Sequence, residues 1–262
     1  MTPAKLYHPH STASENVFVM NPHFYMPQLH THRRIWVYLP ANYYREPSKS
    51  FPVIYMQDGQ NLFDNTTAAF GEWGIDKTLN KMPSKRKKIP IIIAIDNAAD
   101  NRIDEYAPWK RQEFGRGGHG NQYADFIAHT LKPYIDNHFR TLADRRNTAI
   151  MGSSMGGLIA LYTGLKHNQL FGKIGCLSPA FWFNREIFEW AKKQHLQPTK
   201  ICVVGSKTEN KVMENDLQTT YWTLRNANIP DHDLTVAIRK RGKHNEKTWG
   251  REFKFVYKTL FN

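Results

Sequence analysis

The sequence predicts an α/β fold, with a mostly parallel central sheet, helices on both faces and an antiparallel strand pair at its N-terminal side. Three observations carry this. Short, continuous apolar runs recur from Pro52 onward, as strands buried on both faces require. Stripes of helical period separate them, and a glycine-flanked serine turn links one run to the next helix.

Taken in order, residues 1–15 are polar and rich in His and Pro, and read as a flexible arm ahead of one domain over 16–262. Val17–Met20 and Arg34–Leu39 read as the antiparallel pair. Pro52–Met56 and Ile91–Ile95 follow, then the run Thr148–Met151, Lys173–Leu177, Ile201–Val204 and Leu234–Ile238. Between them, Tyr123, Phe126, Ile127, Leu131, Tyr134 and Ile135 share one helix face. Trp249, Phe253, Val256, Tyr257 and Leu260 share another near the C-terminus. Both aromatic stripes are core-facing. The glycines of Lys110–Asn121 suggest a mobile loop near a site mouth, and Ser178–Phe183 carries three consecutive large aromatics on a loop.

Composition excludes several classes. No stretch approaches the ~20 apolar residues of a membrane span, and the N-terminus lacks the apolar centre of a secretion signal. The expectation is a cytoplasmic protein. Cys176 and Cys202 lie inside strand-like runs and read as buried thiols without metal-ligand spacing. The net charge of +13 is compatible with nucleic acid, yet no binding module accompanies it, so no nucleic-acid partner is expected. Lys85-Arg86-Lys87-Lys88 reads as a solvated loop. Arg239, Lys240, Arg241 and Lys243 precede a histidine of interest, where their field would favour an anionic substrate.

The informative stretch is Gly152-Ser153-Ser154-Met155-Gly156-Gly157, after a strand and before a helix. This is the setting of a nucleophile elbow, which exposes a strained serine above the sheet and leaves room only for glycine beside it. A serine hydroxyl needs a base. Of twelve histidines, His244 alone lies between the last strand and the last helix. His129, His138, His167 and His195 fall on helices or their ends and read as surface residues, and His119 is an outsider in the glycine loop. A third member should follow Ile201–Val204. Glu209 stands at that strand's carboxyl end, with Asp216 in the following helix as the alternative. The oxyanion donors would be the Met155 amide and an amide of the Gln57–Asn61 turn, with Gln60 preferred; Asp58 reads as a turn residue.

The segment from Tyr55 to Asp64 resembles the signature of the Putative esterase family, which includes enterochelin and feruloyl esterases and esterase D. Ala94–Asn97, Arg102 with Glu105-Tyr106, Met151–Gly157, Ser178–Trp182 and His244-Asn245-Glu246 with Trp249 extend the likeness over residues 34–260. The resemblance implies an α/β-hydrolase fold, with Ser154 as nucleophile, His244 as base and the amides of Gln60 and Met155 as oxyanion hole. The acid of the family sits in a Gly-Thr-Lys-Glu-like turn, and here Gly205-Ser206-Lys207-Thr208-Glu209 is one residue longer. The implied activity is hydrolysis of a small-molecule carboxylic ester through an acyl-enzyme, with no cofactor and no metal. Siderophore trilactone-type or other anionic or aromatic esters come first. Feruloyl or acetyl carbohydrate esters, or acyl transfer by the same residues, are alternatives. Asn61, Phe181 and Trp182 are expected to line the substrate pocket.

Overall fold

The computed structural model describes residues 10–82 and 89–261. The basic segment Lys85–Lys88 lies outside the described residues. Strands β1 (Val17–Met26) and β2 (Thr31–Tyr38) form an antiparallel hairpin, longer than the apolar runs alone suggest because each has one face open to polar side chains. The remaining strands are β3 (Val53–Gln57), β4 (Ile91–Ile95), β5 (Thr148–Ser153), β6 (Lys173–Leu177), β7 (Lys200–Ser206) and β8 (Leu234–Arg239). They join one sheet in the order β1-β2-β4-β3-β5-β6-β7-β8. From β4 to β8 every pairing is parallel, and β2 meets β4 antiparallel.

Helices α1 (Ile75–Asn80) and α8 (Glu246–Phe261) cover one face, where Trp73, Ile75, Trp249, Phe253 and Tyr257 pack with Ile54, Met56 and Met151. The other face carries α2 (Arg102–Tyr106), α3 (Gly120–Phe126), α4 (Lys132–His138), α5 (Met155–Lys166), α6 (Glu186–Lys192) and α7 (Met213–Asn226). There Tyr123, Leu158, Ile187 and Leu217 pack with Tyr55 and Ile150. Alternate residues of β3 thus enter opposite cores, as the two-residue period of a strand dictates. Strand order reverses at β3, with β4 to one side and β5 to the other. Such a switch point leaves a crevice at the carboxyl ends of the strands, where open α/β sheets place ligands.

Three local expectations need correction. Residues 11–14, expected in the flexible arm, are tied down. Ser11 Oγ donates to Asp64, Thr12 Oγ1 to Glu72 and the Ser14 amide to Asp76; residues 1–9 lie outside the described residues. The glycine loop is a hydrogen-bonded turn. Gly117 and Gly118 have φ of 94° and 103°, and their amides donate to Asp104 Oδ1 and the Ala107 carbonyl. A Cβ on Gly117 would come within 2.6 Å of the Trp109 carbonyl oxygen. His167, expected on the surface, is only 4% exposed at the end of α5. Burial pushes its imidazole pKa down to about 4, assisted by neighbouring Lys166 and opposed by Asp125. Cys176 and Cys202 are buried and unpaired, and burial raises both thiols well above their ordinary range.

Candidate active site

The turn between β5 and α5 holds Ser154 at φ 54° and ψ −124°, a conformation that costs a non-glycine residue about 1–3 kcal/mol. Four backbone hydrogen bonds hold it there. The Ser154 amide donates to Leu177, and its carbonyl accepts from Gly157, Leu158 and Ala180. The flanking glycines are sterically required. A Cβ on Gly152 would lie 2.3 Å from the Gly156 oxygen, and one on Gly156 would lie 2.9 Å from Asp58 Oδ2.

The loop after β8 brings His244 over this turn. Its Nε2 lies 2.9 Å from Ser154 Oγ, and its Nδ1 lies 2.9 Å from Glu209 Oε2. A carboxylate only accepts, so Nδ1 carries the proton and Nε2 faces the serine hydroxyl as an acceptor. The imidazole side chain is 35% exposed, whereas that of Glu209 is 1% exposed. Glu209 Oε1 accepts from the Ser206 amide at 2.8 Å and from Ser178 Oγ at 2.9 Å. Ser178 Oγ in turn accepts from Trp249 Nε1 at 3.0 Å, and the Trp249 ring meets the His244 ring edge-on at 4.9 Å. Every oxygen of the buried carboxylate therefore has a donor.

The extra residue in the acid turn has a place. Thr208 Oγ1 donates to the Gly242 carbonyl and accepts from the Gly242 amide, stitching the acid turn to the histidine loop. Asp216, the alternative acid, points elsewhere; it accepts from Arg185 Nη1 at 2.6 Å and does not approach His244.

At the carboxyl end of β3, Gly59–Asn61 forms a short 3-10 turn that includes Gln60. Its Gln60 side chain accepts from the Asn97 amide, and the Asn61 carbonyl accepts from Trp73. The preceding Asp58 does more than make a turn. Left-handed at φ 58° and 3% exposed, it receives Nε and Nη2 of Arg102 at 2.6 and 2.8 Å, plus Asn97 Nδ2 at 2.7 Å. Its own amide donates to Tyr106 Oη. A paired aspartate thus clamps the turn against the elbow. Sequence reading missed this role of Arg102 and Asn97, and also Ser178; the only signal was that all three sit in stretches shared with the family.

Of the expected pocket residues, Phe181 is fully buried and packs edge-on against Phe188 at 5.6 Å, so it belongs to the core. Trp182 is 43% exposed, and its carbonyl accepts from Arg111. Arg239 lines a small cavity with Ser178, Glu209 and Trp249, where its charge is paired. It chelates Glu252 of α8 and lies 4.3 Å over the Phe255 ring. Lys247, Arg251 and Lys254 line a cleft of about 660 Å³ together with Phe70, Trp73 and one carboxylate, Glu72, which is paired with Lys77. Trp73 borders this cleft and meets Trp249, the ring beside His244, at 5.9 Å. Among the described residues, no Cys, His, Asp or Glu cluster of metal-ligand geometry includes a member of this site.

The sequence pattern of the Putative esterase family matches residues 27–256. Protein YbbA of Bacillus subtilis (strain 168) is 27% identical over 84% of this chain and 89% of its own. The iron(III) salmochelin esterase of Escherichia coli O6:H1 is 25% identical over 59% of this chain and 34% of its own. Among solved structures, the enterobactin esterase of Shigella flexneri superposes with a TM-score of 0.73 at 16% identity, over 95% of this chain and 61% of its own. No helix among the described residues is long and apolar enough to cross a membrane. With nearly its whole length matched, the chain belongs to the Putative esterase family and is a hydrolase of carboxylic esters.

Proposed function

We propose that this esterase works through a covalent acyl-enzyme, with Ser154 as nucleophile, His244 as general base and then acid, and Glu209 as the residue that orients and compensates the imidazole. The observation that carries this reading is the unbroken chain of 2.9 Å contacts from Glu209 Oε2 through both ring nitrogens to Ser154 Oγ, over a backbone held in a strained turn. In this mechanism His244 takes the serine proton as Oγ attacks the ester carbonyl, and returns it to the departing alkoxide. The Met155 amide opens α5, and the Gln60 amide belongs to the adjoining turn. Together they would stabilise the tetrahedral oxyanion, each donor contributing about 2.7–4 kcal/mol in comparable sites.

For the substrate we favour an ester with an anionic or aromatic acyl arm. The support is the cleft behind Trp73 and Trp249, where Phe70 is 82% exposed and Lys247, Arg251 and Lys254 have no carboxylate partner among the described residues. The esterases of salmochelin and enterobactin among the similar proteins fit such a preference. Cytoplasmic residence is part of the same proposal, supported by the two unpaired thiols.

The test pairs a fluorophosphonate probe with two p-nitrophenyl esters of similar size, one neutral and one bearing a free carboxylate. The probe should label Ser154 and no other residue; labelling elsewhere, or none in active protein, rejects the mechanism. Opposite charge in a cleft raises association by about 10-fold or more. The kcat/KM of the anionic ester should therefore fall with added salt and in K247E/R251E, while the neutral ester stays level. Equal behaviour of both esters rejects the substrate class and leaves the mechanism standing.

A further inference from the structure

Helix α5 starts at the elbow and runs for 12 residues, so its far end lies roughly 18 Å from Ser154. A second histidine–carboxylate group is assembled there. His167 caps the helix, Asp125 comes from α3, and His129 comes from the π-helical turn Ile127–Leu131 that joins α3 to α4. His167 Nε2 lies 2.9 Å from Asp125 Oδ1, and the rings of His129 and His167 meet edge-on at 4.9 Å. One ligand atom from each of the three lies within 4.8 Å of the others.

We propose that Asp125, His129 and His167 bind a divalent transition-metal ion of the zinc type. Two imidazoles and one carboxylate form a donor set that suits zinc and its first-row neighbours better than the oxygen-seeking magnesium and calcium or the soft thiolate-seeking ions. Ligand bonds near 2.0–2.2 Å place such donors a little over 3 Å apart, a spacing within reach of the present one. Asp125 and His129 lie four residues apart on one continuous helical stretch, and His167 comes from the end of α5. His167 is buried and fixed, while His129 is exposed, which leaves water a path to the remaining coordination position. Three details of the surroundings favour a cation. The last carbonyls of α5 carry the negative end of the helix dipole. The π-helical turn is an irregularity that is frequent at functional positions of α-helices. And a cation already visits the site, since Lys166 Nζ lies 2.6 Å from Asp125 Oδ1 and 2.5 Å from Asn121 Oδ1. Lys166 is the competitor. Its side chain is 23% exposed, so it can leave Asp125 for solvent while keeping Asn121 within reach. Bound metal would then clamp α3 to the end of α5, remote from the ester chemistry.

The test uses tag-free, full-length protein stripped with a chelator and titrated with zinc by calorimetry, and with cobalt by visible absorption. One ion should bind per chain, and cobalt should show the intense bands of a four-coordinate nitrogen–oxygen site. His129→Ala, an exposed position that the fold does not need, should weaken zinc at least roughly tenfold, as should His167→Gln. Lys166→Met should tighten it by removing the competitor. Hydrolysis of a neutral p-nitrophenyl ester should be unchanged in His129→Ala. Unchanged zinc affinity in His129→Ala, one-to-one binding that disappears in His244→Ala instead, or no binding at millimolar zinc would each overturn the proposal.

Discussion

The two ends of helix α5 present the same pair of groups in opposite arrangements. At its N-terminus an exposed histidine, His244, leans on a buried carboxylate, Glu209. At its C-terminus a buried histidine, His167, leans on a half-exposed carboxylate, Asp125, whose side chain is 29% exposed. The difference decides what each imidazole can do. A buried glutamate with two further donors stays fixed and supports positive charge on a ring that is free to meet substrate. A buried ring beside a lysine-neutralised aspartate is held neutral, and its Nε2 faces no hydroxyl. Only the first arrangement can pass a proton between a nucleophile and a leaving group.

The strongest way to break this contrast is to remove the proposed nucleophile. Ser154→Ala or His244→Ala should lower kcat by about 10⁴–10⁶, read with a p-nitrophenyl ester, while Asp125→Asn should leave kcat within about twofold. A mild Ser154→Ala variant, or a crippled Asp125→Asn, would reverse the assignment of the two ends. Ser154→Gly adds a stability readout. It should be equally inactive yet unfold at higher denaturant, because glycine accepts the positive φ that strains serine by about 1–3 kcal/mol.

Next in size is the charge of the proposed acid. Glu209→Gln keeps the shape of the turn but replaces an obligate acceptor, so the ring can turn over or lose its proper tautomer. Loss of the corresponding charge in other triads costs about 10⁴ in kcat, and we expect a fall of that order here. Asp216→Asn should leave kcat unaltered, because Asp216 holds Arg185 and not His244.

What could be read from the chain follows from how far each interaction reaches. Strands β3 to β7 are buried on both faces, so they stood out as apolar runs. The contact between Ser154 and His244 was legible because connectivity alone places the turn after β5 and the last loop at one end of the sheet. Glu209 was legible by its position after β7, but its choice over Asp216 was not. That choice depends on Ser178 and His244 reaching Glu209 from separate loops. The Asp58–Arg102 clamp joins residues 44 apart and has no local signature. The aromatic run at 181–183 cannot reveal which ring turns inward, and Phe181 fills the core while Trp182 faces out. The pairing of Arg239 with Glu252 was not read because the partner lies 13 residues on, in the next helix.

The clamp offers an intermediate effect. Arg102→Met would leave the Asp58 carboxylate, 5% exposed, without its main partner. Stripping one member from a buried ion pair costs about 3–5 kcal/mol. Arg102 is itself partly exposed, so the lower end applies, read as a reduced urea midpoint. Asp58→Asn with Arg102→Met should recover part of the loss. Failure of the double variant to recover any would mean that the pair holds the turn by shape and not by charge.

The smallest expected effect sharpens the contrast from the other end of the helix. In the unfolded chain His167 titrates near its ordinary value of 6.5, and in the folded protein near 4. The unfolded state therefore binds more protons between those values, and stability falls as pH drops from about 6.5 towards 4. At neutral pH this group costs nothing. By pH 5 the linkage relation gives a loss on the order of 2 kcal/mol. His167→Gln keeps a donor for Asp125 but cannot take up a proton, so it should lose correspondingly less stability between pH 7 and pH 5. Urea unfolding with a chelator present measures this, and the acid titration of all other groups cancels in the comparison. If both proteins lose the same amount, His167 is not held neutral, and the C-terminal pair does not differ from the N-terminal one in the way its burial implies.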